Sequence, residues 1–122
     1  MDILTLIIKK KFFDEIIAGT KLQEFREIRP NLVKKYCKVD DEGYAIFDEE
    51  KGIFEPRHYD AIRFYVGYGK NRASALVSVT GCNIELFVDE NNEFITYEHN
   101  GETCLAAQVV YDLGPVLDKE NV

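Results

Sequence analysis

Residues 3–30 read ILTLIIKKKFFDEIIAGTKLQEFREIRP, and the spacing of apolar residues changes twice within them. Ile3 to Ile8 is a short apolar run rich in isoleucine, which reads as a buried strand. From Lys10 to Ala18 the apolar residues Phe12, Phe13, Ile16 and Ile17 recur at three and four, the stripe of a helix packing on a sheet. Gly19 stands where that helix must stop, because a residue without a side chain takes the left-handed conformation without strain. Leu22 to Ile28 then reads as a second strand. On it Glu24 and Arg26 are two apart, so they share a face about 6.6 Å apart along the strand. Lys21 sits at the turn before them. A carboxylate flanked by two cations can hold a phosphate, a nucleobase edge or a small polar substrate.

With 122 residues, 46% of them hydrophobic, the chain is long enough for one domain with a real core. Met1 to Ile8 is too short to span a bilayer, and Lys9, Lys10 and Lys11 follow the apolar run where a signal peptide would have them first. The expected location is the cytoplasm, with no membrane association. Cys37, Cys82 and Cys104 are odd in number and lack metal-ligand spacing, which argues against a disulfide framework or a zinc site and for free thiols. No metal and no cofactor are expected.

The net charge of −7 is unevenly spread. Residues 1–38 hold nine basic against five acidic side chains, a balance of +4, and the remainder six against seventeen, a balance of −11. A basic face can steer an anionic ligand while the acidic body keeps the chain soluble. The acidic part also suits a basic protein partner, and in that reading the Lys21 segment only stabilises the fold.

Beyond Pro30, which suits the first turn of a second helix, Leu32, Val33, Tyr36 and Cys37 keep helical spacing. Val39 to Pro56 is acid-rich and reads as a loop or exposed hairpin inserted on the surface. Ile62, Phe64, Val66 and Tyr68 alternate with Arg63, Tyr65 and Gly67 as a strand that turns at Gly69 to Asn71 and returns over Ala73 to Thr80. Ile84 to Val88 and Phe94 to Tyr97 are further strands, Asn100-Gly101 is a hairpin turn, and Thr103 to Leu113 is a long final strand broken by Gly114-Pro115. Many strands with helices gathered near the start indicate an α+β class built on a curled or closed sheet.

Tyr65, Tyr68, Lys70 and Arg72 add aromatic faces and cations to that hairpin, the groups that stack and clamp single-stranded nucleic acid. Gly67-Tyr68-Gly69-Lys70 lacks the spacing, the hydroxyl residue and the following helix of a phosphate loop. His58 and His99 have no second histidine at ligand spacing.

The segment Ile3 to Pro30, with its Gly19-x-Lys21-x-x-Glu24-x-Arg26 core and trailing Arg26-Glu27-Ile28-Arg29-Pro30, resembles the ASCH domain (ASC-1 homology domain) family of the PUA-like superfamily. The order of the later strands agrees with that family, and the likeness is weak across Val39 to Pro56 and after Thr80. The resemblance implies one domain over residues 1–122, a small β-barrel of mostly antiparallel, curled sheet flanked by two short helices, and a cleft lined by Lys21, Glu24 and Arg26 that binds RNA or a nucleotide. It also implies a second activity, since some small bacterial members hydrolyse the acetyl amide of N4-acetylcytidine. There a lysine at the place of Lys21 acts with a threonine and a later glutamate. In this chain those two places hold Glu24 and Ser78, so Lys21 and Glu24 are the catalytic candidates, with Glu24 as general base.

Overall fold

Leu4, Leu6 and Ile8 point to one face of the first strand and are buried, while Ile3 and Thr5 on the other face are exposed. This alternation orients the surrounding sheet. In the computed structural model, which describes residues 1–122, the elements run β1 (Ile3–Ile8), α1 (Lys10–Ala18), β2 (Gln23–Glu27), a 3-10 turn (Pro30–Leu32), α2 (Val33–Tyr36), β3 (Phe47–Asp48), β4 (Ile53–Phe54), β5 (Ala61–Val66), β6 (Ser74–Leu86), β7 (Thr96–His99), β8 (Glu102–Leu105) and β9 (Ala107–Glu120). Five strands are joined in the order β1-β5-β6-β9-β2, and β3-β4 and β7-β8 form two small hairpins. The class is therefore α+β, mostly strand with two short helices and a mixed sheet. The ladders do not close into a barrel. No helix is long and apolar enough to cross a membrane.

The chain divides into two compact units, and β2, β6 and β9 each run from one into the other. The first comprises residues 1–24, 58–81 and 111–122. Its sheet is mixed: β1 pairs in parallel with β5, Leu4 opposite Ile62 and Leu6 opposite Phe64. β5 pairs antiparallel with β6, Ile62 opposite Val77 and Phe64 opposite Ala75. These partners fall on one face and are buried, and α1, which packs against β5, buries Phe13 and Ile16. Each such side chain contributes about 1.5–3 kcal/mol relative to exposure. Phe12 and Ile17 share the helical stripe, but neither is fully buried, and Phe12 is 39% exposed. Instead the Phe12 ring lies 5.8 Å from Lys11 Nζ and 5.5 Å from Lys21 Nζ.

The second unit comprises residues 25–57 and 82–110. Pro30 begins a 3-10 turn before the single turn of α2, a shorter helix than the Leu32 to Cys37 spacing suggests, yet one that buries Tyr36 and Cys37. The acidic segment is a hairpin as expected, with Phe47 opposite Phe54 and their rings edge to face at 5.1 Å. Asn100-Gly101 closes β7 on β8 with both residues at positive φ, as a two-residue primed turn requires.

Four expectations about strands are corrected. The one strand expected over Thr103 to Leu113 is two, β8 and β9, in different sheets. The two strands expected over Ala73 to Thr80 and Ile84 to Val88 are one, β6, and Gly114-Pro115 does not end β9. Glycine marks close approach at both places. A Cβ on Gly81 would lie 2.6 Å from Asp112 Oδ2, and one on Gly114 would lie 2.7 Å from Thr80 Cγ2. Tyr68 does not continue the buried face of β5; it lies past the strand end and is 86% exposed.

Candidate functional site

The geometry of the Lys21 segment starts at the end of α1. Gly19 takes φ +78°, its N–H donates to Ile16 O at 3.1 Å, and the Thr20 N–H donates to Glu15 O at 3.0 Å. These two bonds are the closure that a glycine stop provides. The Lys21 N–H and the Thr20 hydroxyl also donate to Glu15 O, at 3.1 and 3.2 Å. One carbonyl thus holds the turn and aims Lys21 back over α1.

Lys21 Nζ is 3.7 Å from Glu24 Oε1, and the two side chains are only 16% and 8% exposed. Both residues belong to the first unit. On β2 burial alternates: Glu24 is buried, Arg26 half-buried and Ile28 buried, while Gln23, Phe25 and Glu27 are exposed. Glu24 and Arg26 therefore share a face, as their spacing requires. Arg26 falls in the second unit. On the opposite face Gln23 Nε2 donates to Asp112 Oδ1 at 2.7 Å, which ties β2 to β9.

Taking two opposite charges out of water costs several kcal/mol per ion, and their attraction repays this only with good geometry. At 3.7 Å the Lys21–Glu24 contact is longer than a charge-assisted hydrogen bond of about 2.8 Å. The pair has an ammonium on the phenyl face of Phe12 and a carboxylate beside it. Such a pair can donate to a carbonyl or phosphate and accept from an amine.

The other predicted residues separate into two groups. Tyr65 and Arg72 are brought together, the guanidinium carbon 3.9 Å from the ring centroid, and Arg72 also donates to Gly67 O at 3.1 Å. The expected stacking surface is thus already an internal cation–π stack in part. Tyr68 and Lys70 are exposed on the connecting turn. Ser78 lies half-buried on β6, opposite Ala61. His58 Nε2 is 3.1 Å from Asp60 Oδ1.

The concave feature of the second unit had no counterpart among the sequence motifs. Within the second unit a cavity of about 450 Å³ is walled by residues that include Ile28, Val33, Tyr44, Phe54, Ile84 and Tyr97. Cys37 and Cys104 also line it, and burial pushes the Cys37 thiol up to about 11. The only sequence signal was the set of aromatic residues between the acids of the hairpin segments, where exposure was the expectation.

Against family models, curated proteins and solved structures alike, the chain finds no match.

Proposed function

We propose that the protein binds RNA or a nucleotide through Lys21 and Glu24 in the first unit, and that it is a cytoplasmic ASCH-type, PUA-like module. The supporting observation is the Lys21–Glu24 pair itself, held at 3.7 Å with little exposure of either side chain. A buried ion pair is weak evidence for stability, since apolar residues of similar volume often serve as well or better. A ligand supplies the missing reason for keeping it. The ammonium answers a phosphate or base carbonyl, and the carboxylate accepts from an exocyclic amine such as that of cytosine or guanine. Tyr65 and Arg72 on the same unit offer a stacked aromatic and cationic surface for a further base.

Titration of labelled single-stranded RNA and of free nucleotides into the full chain at low salt tests this. Binding is expected, weakening as salt rises, and it is lost in the double variant Lys21→Met/Glu24→Leu while the fold is kept. Unchanged binding in that variant, or none to any probe in the parent, overturns the reading.

The same contact favours a second reading, amide hydrolysis of an N4-acetylcytidine-like nucleoside. Glu24 would take a proton from water attacking the acetyl carbon, and Lys21 would protonate the departing exocyclic nitrogen, giving cytidine and acetate. Release of cytidine that disappears in Glu24→Gln supports it, and none above the level of Lys21→Ala excludes it.

A further inference from the structure

The charge of the chain is divided by unit. The first unit holds eight basic and eight acidic side chains, and the second holds seven basic and fourteen acidic, so the whole net charge of −7 resides in the second. That unit also carries ten of the seventeen large apolar residues that stand exposed, among them Tyr44 at 65%, Phe94 at 59% and Leu105 at 38%. Contiguous exposed apolar surface marks a site of association, and Tyr44 and Leu105 of these ten line one cavity.

The cavity of about 450 Å³ lies within this unit, a volume ordinary for a binding pocket. Its walls adjoin acids in sequence. Gly43, Tyr44 and Ala45 follow Asp40, Asp41 and Glu42, Tyr97 precedes Glu98, and Glu102 itself lines the cavity. The Tyr44 wall is pinned, because Asp40 Oδ1 accepts the N–H groups of Glu42 and Tyr44 at 2.9 and 3.0 Å. Of the cations that adjoin the walls in sequence, Arg29 lies over Tyr97 and 3.1 Å from Glu27, Lys38 is 3.9 Å from Glu55 and Lys35 lies over Tyr36, while Lys34 stands exposed beside Val33.

From these observations we infer that the second unit is a docking surface for a basic, amphipathic segment of a partner protein. Its apolar side chains fill the cavity between Tyr44, Tyr97 and Leu105, and its lysines or arginines meet the acidic turns. Charge selects this occupant. A nucleic acid, or the same face of a second copy, would bring like charge to a unit of net −7. A small aromatic cation would fill the cavity and leave the apolar surface beyond it uncovered. This inference stands apart from ligand binding at Lys21 and Glu24.

The chain has no tryptophan, so a probe peptide with lysines on one helical face and leucines and one tryptophan on the other reports its own binding. Added to the full chain, its emission is expected to move to the blue. The affinity is expected to fall about tenfold or more in Tyr44→Ser/Leu105→Ser, as for loss of interface anchors. Both positions are exposed, and circular dichroism of the variant verifies its fold. In the parent protein, where no substitution is needed, the peptide is expected to slow alkylation of Cys104, which lines the cavity, and to leave Cys82, which does not, unchanged. Four results would each overturn the inference: equal binding of oligolysine, equal binding of a peptide with the same apolar face and glutamates for lysines, an unprotected Cys104, or protection of Cys104 by a small planar aromatic cation but not by the peptide.

Discussion

Lys21 Nζ stands 3.7 Å from Glu24 Oε1 with both side chains largely out of water, while the same ammonium lies 5.5 Å from the ring of Phe12. The partners are three positions apart in sequence, and the Gly19 stop of α1 sets the turn that leads into them.

Removing one partner of this pair leaves the other charge buried. Lys21→Ala is therefore expected to cost roughly 3 kcal/mol of folding stability, against about zero or a slight gain for Lys21→Met/Glu24→Leu. Urea denaturation of the three proteins measures both values. A single variant no less stable than the double would mean that the pair is solvated.

Gly114 packs in the middle of a strand, where a Cβ would meet the methyl of Thr80 at 2.7 Å. Thr80 is β-branched and stiff, so Gly114→Ala should destabilise by about 1–3 kcal/mol through overpacking. Thr80→Ser removes the methyl and should recover most of that loss. If denaturation midpoints show no recovery in the double variant, the clash is not the cause.

The Cys37 thiol is raised from 9.0 to about 11 by burial. Near pH 8 it should hold roughly a hundredfold fewer thiolates than an ordinary cysteine and be alkylated correspondingly slowly. The linked stability is fully present below pH 9.0 and declines as pH rises toward 11, because only the unfolded chain then gives up the proton. Mass spectrometry after timed alkylation checks the first expectation. Melts of parent and Cys37→Ala across pH 8–11 check the second, and parallel curves would refute it.

Asp60 Oδ2 accepts the Asp2 N–H at 2.7 Å and Oδ1 faces His58, contacts that hold the carboxyl below its ordinary value. A lowered carboxyl contributes stability above its unfolded value of about 3.9 and loses it as pH falls through the folded one. Asp60→Asn should therefore melt lower than the parent at pH 7, with the gap closing in acid. A gap that persists unchanged at pH 2 would assign the effect to packing.

Much of the frame was legible because it rests on local spacing. The bounds of β1 and α1, the glycine stop, the acidic hairpin and the Asn100-Gly101 turn follow from periodicity and backbone preference, which neighbouring residues largely settle. The expected strand stops at Thr80, just before Gly81, and Gly114-Pro115 reads as a break, because in one chain a glycine that ends a strand and one that admits a neighbouring side chain look the same. Only Asp112 and Thr80, distant in sequence, tell them apart. Phe12 likewise belongs to the helical stripe by spacing, yet stands beside two ammoniums.

By itself the sequence determined the α+β class, the placing of Lys21 and Glu24 on one turn and strand, and the acid excess of the later segments. All three depend on composition and on residues a few positions apart. Tertiary structure alone decided that the Lys21–Glu24 pair is withdrawn from water, that Arg72 stacks on Tyr65, and that Ile28, Tyr44, Ile84 and Tyr97 wall one cavity. Burial and concavity are made by segments that meet only on folding, and no spacing within one segment encodes them.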